Sequence, residues 1–223
     1  MNYLAHLFLA APTPESLIGN LLGDFLKGVD KEQYSIAIQQ GIALHRKVDA
    51  YTDSHPIVRE AKQLISATRR RFSGILIDIF YDHFLAKYWG SYSSVTLDNF
   101  SQKVYAVLSQ HQSILPDRLR IAVPQMIQQD WLNKYQYMSG IELTLDRMAV
   151  RVKNKGYVLA GGIEELRSSY QELDWSFQAF FPELIEYVRL QREFCQNENA
   201  DGYRWVSGAS LPDRAWNTLI GWK

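Results

Sequence analysis

Two stretches of the chain place acids and histidines where a helical protein would normally bury leucine. "LHRKVDAYTDSHP" (Leu44 to Pro56) holds His45, Arg46, Lys47, Asp49, Asp53 and His55. "LIDIFYDHFLAKYW" (Leu76 to Trp89) holds Asp78, Asp82 and His83. Residues at i, i+3/i+4 and i+7 share one face of a helix, so phase tells which of these point inward. In the first stretch the line Ile38, Ile42, His45, Asp49 is an apolar stripe that turns polar without changing direction, with Asp53 one turn further on. In the second, Ile75, Asp78, Asp82, Leu85 and Trp89 share a line, so two carboxylates interrupt a core-facing stripe. His83 lies about 100° round from Asp82, on a line with Leu76 and Phe80. An earlier segment gives Leu17, Leu21 and Asp24, and His6 stands among apolar neighbours.

A buried, unpaired carboxylate costs several kcal/mol or takes up a proton. Asp24, Asp49, Asp78 and Asp82 brought together therefore require a cation. Salt bridges to Arg46, Lys47, Arg69, Arg70 or Arg71 are one answer, and a lone core histidine is more often hydrogen-bonded than a ligand. The whole constellation points elsewhere. Helix bundles hold divalent metals with inward His and carboxylate side chains from facing helices. A His/Asp set without thiolates suits Mn²⁺, Mg²⁺, Fe²⁺ or Zn²⁺ in a reactive site rather than a structural zinc site. Neither HExxH nor CxxC occurs. Such a centre activates water and clamps a phosphoryl oxygen, which makes phosphate-ester hydrolysis the expected reaction class. Arg46 and Arg70 are the candidates to neutralise phosphate charge. The sequence has no P-loop and no GxGxxG, so nucleotide-driven transfer and dinucleotide redox chemistry have no support. Ser54 beside His55 lacks an assignable base and orienter, which leaves a serine hydrolase unsupported.

These residues need helices to position them, and helical signals dominate. Expected helices run over 2–10, 15–27 (Pro14 at the start, Gly28 past the end), 32–52, 56–71, 74–89, 97–114, 117–137, 139–152, 163–173 and 176–196. Thr96 is an N-cap candidate, and Pro124 is expected to split or kink its helix. Strand and hairpin signals are thin. The chain of 223 residues, 47% hydrophobic and 13% aromatic, can bury a full core. Lys+Arg and Asp+Glu number 24 each, which argues against a dedicated nucleic-acid binder. The single cysteine fits a reducing, cytoplasmic setting. No apolar run is long enough for a membrane span, and the N-terminal apolar run lacks a basic flank of the signal-peptide kind. The expected organisation is a helical domain over 1–195 and an aromatic extension over 196–223, docked on the body or on a second subunit.

The blocks "MNYLAHLFLA", "SLIGNLLGDFLKG", "GIALHRKVDAYTDSHP" and "ILIDIFYDHFLAKYW", in that order, resemble the acyl carrier protein phosphodiesterase family, as does "ILPDRLRIAVPQMIQQDWLNKYQYMSGIELTLDRMAVR". The resemblance spans roughly residues 1–190. It implies an all-α fold related to the HD-domain metallophosphohydrolases. It also implies hydrolysis of the phosphodiester joining 4′-phosphopantetheine to a serine of holo-acyl carrier protein, with Mn²⁺ as the metal and Mg²⁺ or Fe²⁺ as alternatives. No adjacent His-Asp pair occurs, so helical phase assigns the ligands: Asp24, His45, Asp49, Asp78 and Asp82. Arg46 and Arg70 would bind phosphate oxygens, and His83 or His6 would protonate the departing serine oxygen or orient a ligand. The acidic carrier protein would dock on Arg69, Arg70 and Arg71, or on Arg147, Arg151, Lys153 and Lys155. Two other readings are a metal phosphohydrolase of nucleotides or small phosphoesters, and a helical protein that binds carrier protein without turnover.

Overall fold

A computed structural model describes residues 1–152 and 155–200. All regular elements among them are helical. They run α1 (Tyr3–Phe8), α2 (Pro14–Leu22), α3 (Ile36–Ser54), α4 (Pro56–Gln63), α5 (Ser73–Lys87), α6 (Trp89–Tyr92), α7 (Leu97–Gln110), α8 (Asp117–Gln128), α9 (Trp131–Lys134), α10 (Met138–Arg151), α11 (Ile163–Ser168) and α12 (Tyr170–Ala200). Met1–Val188 forms one compact unit, and a second begins at Arg189. The expected aromatic extension, with Trp205, Trp216 and Trp222, lies from residue 201 onward outside the described residues, as do Lys153 and its neighbour Asn154. No helix of the described residues is long and apolar enough to cross a membrane.

Local chemistry sets the helix ends. Thr13 accepts the Ser16 N–H and Pro14 opens α2; Ser35 accepts the Ile38 N–H to open α3. Thr96 caps α7 as its sequence position implied. Past Leu22 the chain tightens into a 3-10 turn, Gly23–Phe25, and Gly28 (φ 80°) makes the following turn. The helix expected over 56–71 stops at Gln63, because Arg70 folds back and donates to the backbone carbonyls of Gln63 and Ile65. The one expected over 117–137 breaks at Asp130 (φ 49°), which separates α8 from α9. Pro124 and Pro182 each lie inside a helix that continues past them.

The core is built around α5. Leu76, Ile77, Ile79, Phe80, Tyr81, Phe84 and Leu85 are all fully buried, so α5 is apolar nearly all round. Phe177 and Phe180 pack on it from α12, and Phe181 stacks on Phe177 and meets Phe8 and Tyr92. At about 1.5–3 kcal/mol for each large apolar side chain removed from water, this cluster is the main anchor of the fold. Beside it, α2 and α3 approach closely through Gly19 and Gly41: a Cβ on Gly19 would fall 2.3 Å from the Ile38 carbonyl oxygen. That contact sets the C-terminal end of α2 against the middle of α3, where the histidine and acids lie.

Candidate metal centre

The N-terminus of α1 is pinned to α5 by Asp82. One carboxylate oxygen accepts the Leu4 N–H at 2.7 Å and the other the Ala5 N–H at 3.1 Å. The residue preceding α1, Asn2, makes no side-chain cap, so Asp82 supplies both charge and acceptors to this helix end. Burial pushes the Asp82 carboxyl up to about 7, against the pull of these two N–H groups.

With α1 fixed, His6 faces α3. Its ring stacks on His45 with centroids 3.7 Å apart and planes 19° apart. Asp49, one turn along α3 from His45, spans both rings. One of its oxygens is 3.1 Å from His6 Nε2 and the other 3.1 Å from His45 Nε2. Asp24, in the turn after α2, stands 3.7 Å from His45 Nε2. Ligand-type atoms of His6, His45 and Asp49 all lie within 4.8 Å of one another. Both histidines are buried, whereas the Asp24 and Asp49 side chains keep 40% of their surface exposed, so the cluster opens to solvent along its acidic edge.

The tautomer of His45 is informative. Its Nδ1 lies 2.7 Å from the Asn20 carbonyl oxygen, so this nitrogen carries the proton and donates. Its other nitrogen, Nε2, therefore faces two carboxylates, Asp49 and Asp24, an arrangement that calls for a proton or a metal ion between them. A backbone carbonyl holding the far nitrogen is also how metal-ligating histidines are oriented. His6 is driven down to about 3, chiefly by burial, and is neutral at pH 7. Its Nδ1 is buried without a hydrogen-bond partner among the described residues. Burial would raise Asp49, but hydrogen bonds from His45 and His6 and the nearby N-terminal ammonium hold it well below the usual carboxylate range. Two neutral-capable imidazoles and an ionised carboxylate are the donor forms that a borderline divalent metal requires, so these residues fit such an ion.

A second cation is already present in the structure. The Met1 ammonium is fully buried, 2.9 Å from Asp78 and 3.5 Å from Asp49. Burial lowers its pKa, but Asp78 and Asp49 more than compensate and raise it to about 10. Asp78 thus has a partner without any metal.

The structure gathers Asp24, His45 and Asp49 from the sequence-based set, adds His6 to them, and sets Asp78 beside them through Met1. Asp82 has a different task, because both of its oxygens are taken by the α1 backbone. His83 is also elsewhere: its Nδ1 meets the Tyr135 carbonyl at 2.8 Å and its Nε2 the Tyr170 hydroxyl at 3.0 Å. Its ring nitrogens are committed to α9–α12 packing rather than to a leaving group. His6 is buried, with Nε2 turned to Asp49 and to the Met1 carbonyl oxygen at 3.1 Å each, and burial keeps it neutral, so it is placed as a ligand rather than as a proton donor. Arg70 spends its donors on the end of α4. Arg69 binds the Val158 and Ala160 carbonyls and Glu165. Arg71 lies over the Phe72 ring. The arginine run therefore fastens the α4–α5 connection, and only Arg71 has no such backbone task. Arg46 is exposed, about 100° round α3 from His45.

Sequence reasoning missed Met1, Asn20 and Gly23. A Cβ on Gly23 would fall 2.1 Å from the His45 ring, so this glycine makes room for the ligand. The signal was visible as a polar Asn and two glycines inside the apolar run "LIGNLLGDF".

A family model described as acyl carrier protein phosphodiesterase matches residues 1–184, which covers every residue of the cluster. The chain belongs to the acyl carrier protein phosphodiesterase family. Curated relatives named acyl carrier protein phosphodiesterase include one from Yersinia pestis, 38% identical over 190 residues, covering 85% of this chain and 98% of that protein. One from Serratia proteamaculans is 34% identical over the same coverage. One from Escherichia coli is 33% identical over 195 residues, covering 83% of this chain and 96% of that protein. No solved structure matches the chain, so the expected relation to the HD-domain fold has no structural neighbour behind it.

Proposed function

We propose that the protein hydrolyses the phosphodiester between 4′-phosphopantetheine and a serine of holo-acyl carrier protein, using a divalent metal, Mn²⁺ in the first instance, held by His6, His45 and Asp49. The observation that carries the metal is the placing of His45: its Nδ1 is held by the Asn20 carbonyl, and its Nε2 faces Asp49 and Asp24 across 3.1 and 3.7 Å. The substrate class rests on family membership. When bound, the metal supplies an activated water and a positive charge for the non-bridging phosphate oxygens.

The chain's own residues do the rest. Asn20 fixes the His45 ring through its carbonyl. His6, kept neutral by burial, offers nitrogen without adding charge. Asp49 holds the two rings at a common point. Asp24 sits at the solvent edge, and burial raises its pKa despite the pull of His45. Its place at that open edge, 3.7 Å from His45 Nε2, makes it our choice of group to carry a proton to the departing serine oxygen. Asp82 and Asp78 act indirectly, by locking α1 and Met1 in place. The test is to incubate the protein with holo-acyl carrier protein and Mn²⁺ and weigh the carrier. Conversion of holo to apo carrier supports the reading, and an unchanged carrier overturns it.

A further inference from the structure

Next to the cluster lies a cavity of about 380 Å³ that the metal site does not use, with Tyr3, Gln129, Trp131, Arg147, Met148 and Arg151 among its lining residues. Its size lies within the range of small-ligand pockets. One wall is α10, on which Thr144, Arg147, Met148 and Arg151 follow each other at i, i+3, i+4 and i+7 along one face, about 10 Å from end to end.

The two ends differ. At one end Arg151 donates to the Tyr3 hydroxyl at 3.0 Å and lies 5.9 Å over the Phe25 ring, whose chain neighbour is Asp24. Asn2 and Tyr3 directly follow Met1, whose ammonium meets Asp49 and Asp78. This end thus adjoins the acidic edge of the cluster and brings a guanidinium to it. At the other end Arg147 stacks 4.7 Å over the Trp131 ring, and Gln129 accepts from both Arg147 and the Trp131 indole. Trp131 and Met148 supply apolar surface, and Gln125, Gln129 and Thr144 supply amide and hydroxyl groups.

We infer that this cavity binds the 4′-phosphopantetheine arm of the substrate, with Arg151 on the phosphate and the Trp131–Arg147 end on the pantetheine. The chemistry matches at each point. A phosphate calls for a guanidinium beside the reacting centre. Two amides call for side-chain hydrogen-bonding groups, and a branched aliphatic segment calls for Trp131 and Met148. Binding the arm separately from the carrier protein also lets binding energy far from the phosphorus align the diester. The inference rests on the phosphodiesterase reading above and extends it to the recognition of the arm.

The test is equilibrium binding of free 4′-phosphopantetheine and of pantetheine, by titration calorimetry, to the wild-type protein and to Arg151→Met and Thr144→Trp, with circular dichroism confirming the fold of each. Wild type should bind the phosphorylated compound more tightly than pantetheine. Arg151→Met should reduce that preference at least fivefold. Thr144→Trp, which fills the middle of the cavity, should weaken both ligands at least tenfold. If both folded variants bind both compounds as wild type does, the arm lies elsewhere and the inference is wrong. Holo-carrier turnover is measured in parallel on wild type: absence of turnover sinks the phosphodiesterase reading itself, whereas turnover with unaltered variant affinities sinks only the cavity assignment.

Discussion

Replacing Asp49 by asparagine probes the cluster at its centre. The change keeps the shape of the side chain and removes its charge. In the structure one oxygen faces His6 Nε2 and the other His45 Nε2, each at 3.1 Å. A contact to a charged group contributes about 1.5–3 kcal/mol. Because 40% of the Asp49 side chain is exposed, solvent screening favours the lower figure for each contact. The two together give about 3 kcal/mol, or about 100-fold at 1.4 kcal/mol for each factor of ten. That figure applies to the metal-free fold; for the ion, Asp49→Asn removes a charged ligand and should weaken Mn²⁺ at least tenfold, and lower holo-carrier turnover at subsaturating Mn²⁺ by a similar factor. The folded state should lose up to about 3 kcal/mol on that count, less whatever is regained by relieving repulsion with Asp24 and Asp78. The assay is Mn²⁺ binding by electron paramagnetic resonance of the free ion, with mass spectrometry of the carrier and a thermal melt. Unaltered Mn²⁺ affinity in a folded Asp49→Asn protein would refute Asp49 as a ligand.

Further outcomes follow from the same geometry. Gly23→Ala drives a methyl group into the His45 ring and should lower Mn²⁺ affinity at least tenfold while leaving the helix content seen by circular dichroism intact. Asp82→Ala leaves the Leu4 and Ala5 N–H groups buried without acceptors and should cost about 2–4 kcal/mol in urea unfolding, with activity lost through α1 rather than through metal coordination. His6 titrates near 3 when folded and near 6.5 when unfolded, so below pH 6.5 the unfolded state gains a proton that the native state refuses, and this group's contribution falls as pH falls. Between pH 6.5 and 5 that amounts to about 2 kcal/mol, at 1.36 kcal/mol per unit. Comparing wild type with His6→Gln in urea at both pH values isolates it from Asp82, whose raised pKa acts in the opposite sense over this window. Arg69→Ala removes the cation from buried Glu165, leaving only the Ser66 hydroxyl and N–H, and should lower Tm by about 4–8 °C through a loss of about 2 kcal/mol.

The sequence pattern revealed the helical class and the inward direction of His45, Asp49 and Asp78, because helical phase follows directly from spacing. It could not tell a ligand from a cap. Asp82 and Asp78 lie on the same stripe, yet Asp82 meets the backbone of α1 and Asp78 meets the Met1 ammonium, and both partners are set by tertiary packing. Met1 escaped notice because a terminal amine has no side-chain letter. Arg69 and Arg70 read as a free docking patch because their acceptors are mostly backbone carbonyls, which a sequence does not display. Helix starts were readable at Pro14 and at Thr96, whereas the Ser35 cap, which starts α3 at Ile36 rather than at residue 32, was missed. Helix ends were not readable where a distant group ends the helix, as with Arg70 at α4, or where the backbone turns left-handed at Asp130.

The most direct test is to strip the protein of metal with a chelator and incubate it with holo-acyl carrier protein, with and without added Mn²⁺, following the carrier by mass spectrometry. The expected result is loss of the phosphopantetheine mass only when Mn²⁺ is restored. Equal conversion without metal would contradict the His6–His45–Asp49 centre, and no conversion under either condition would contradict the phosphodiesterase activity.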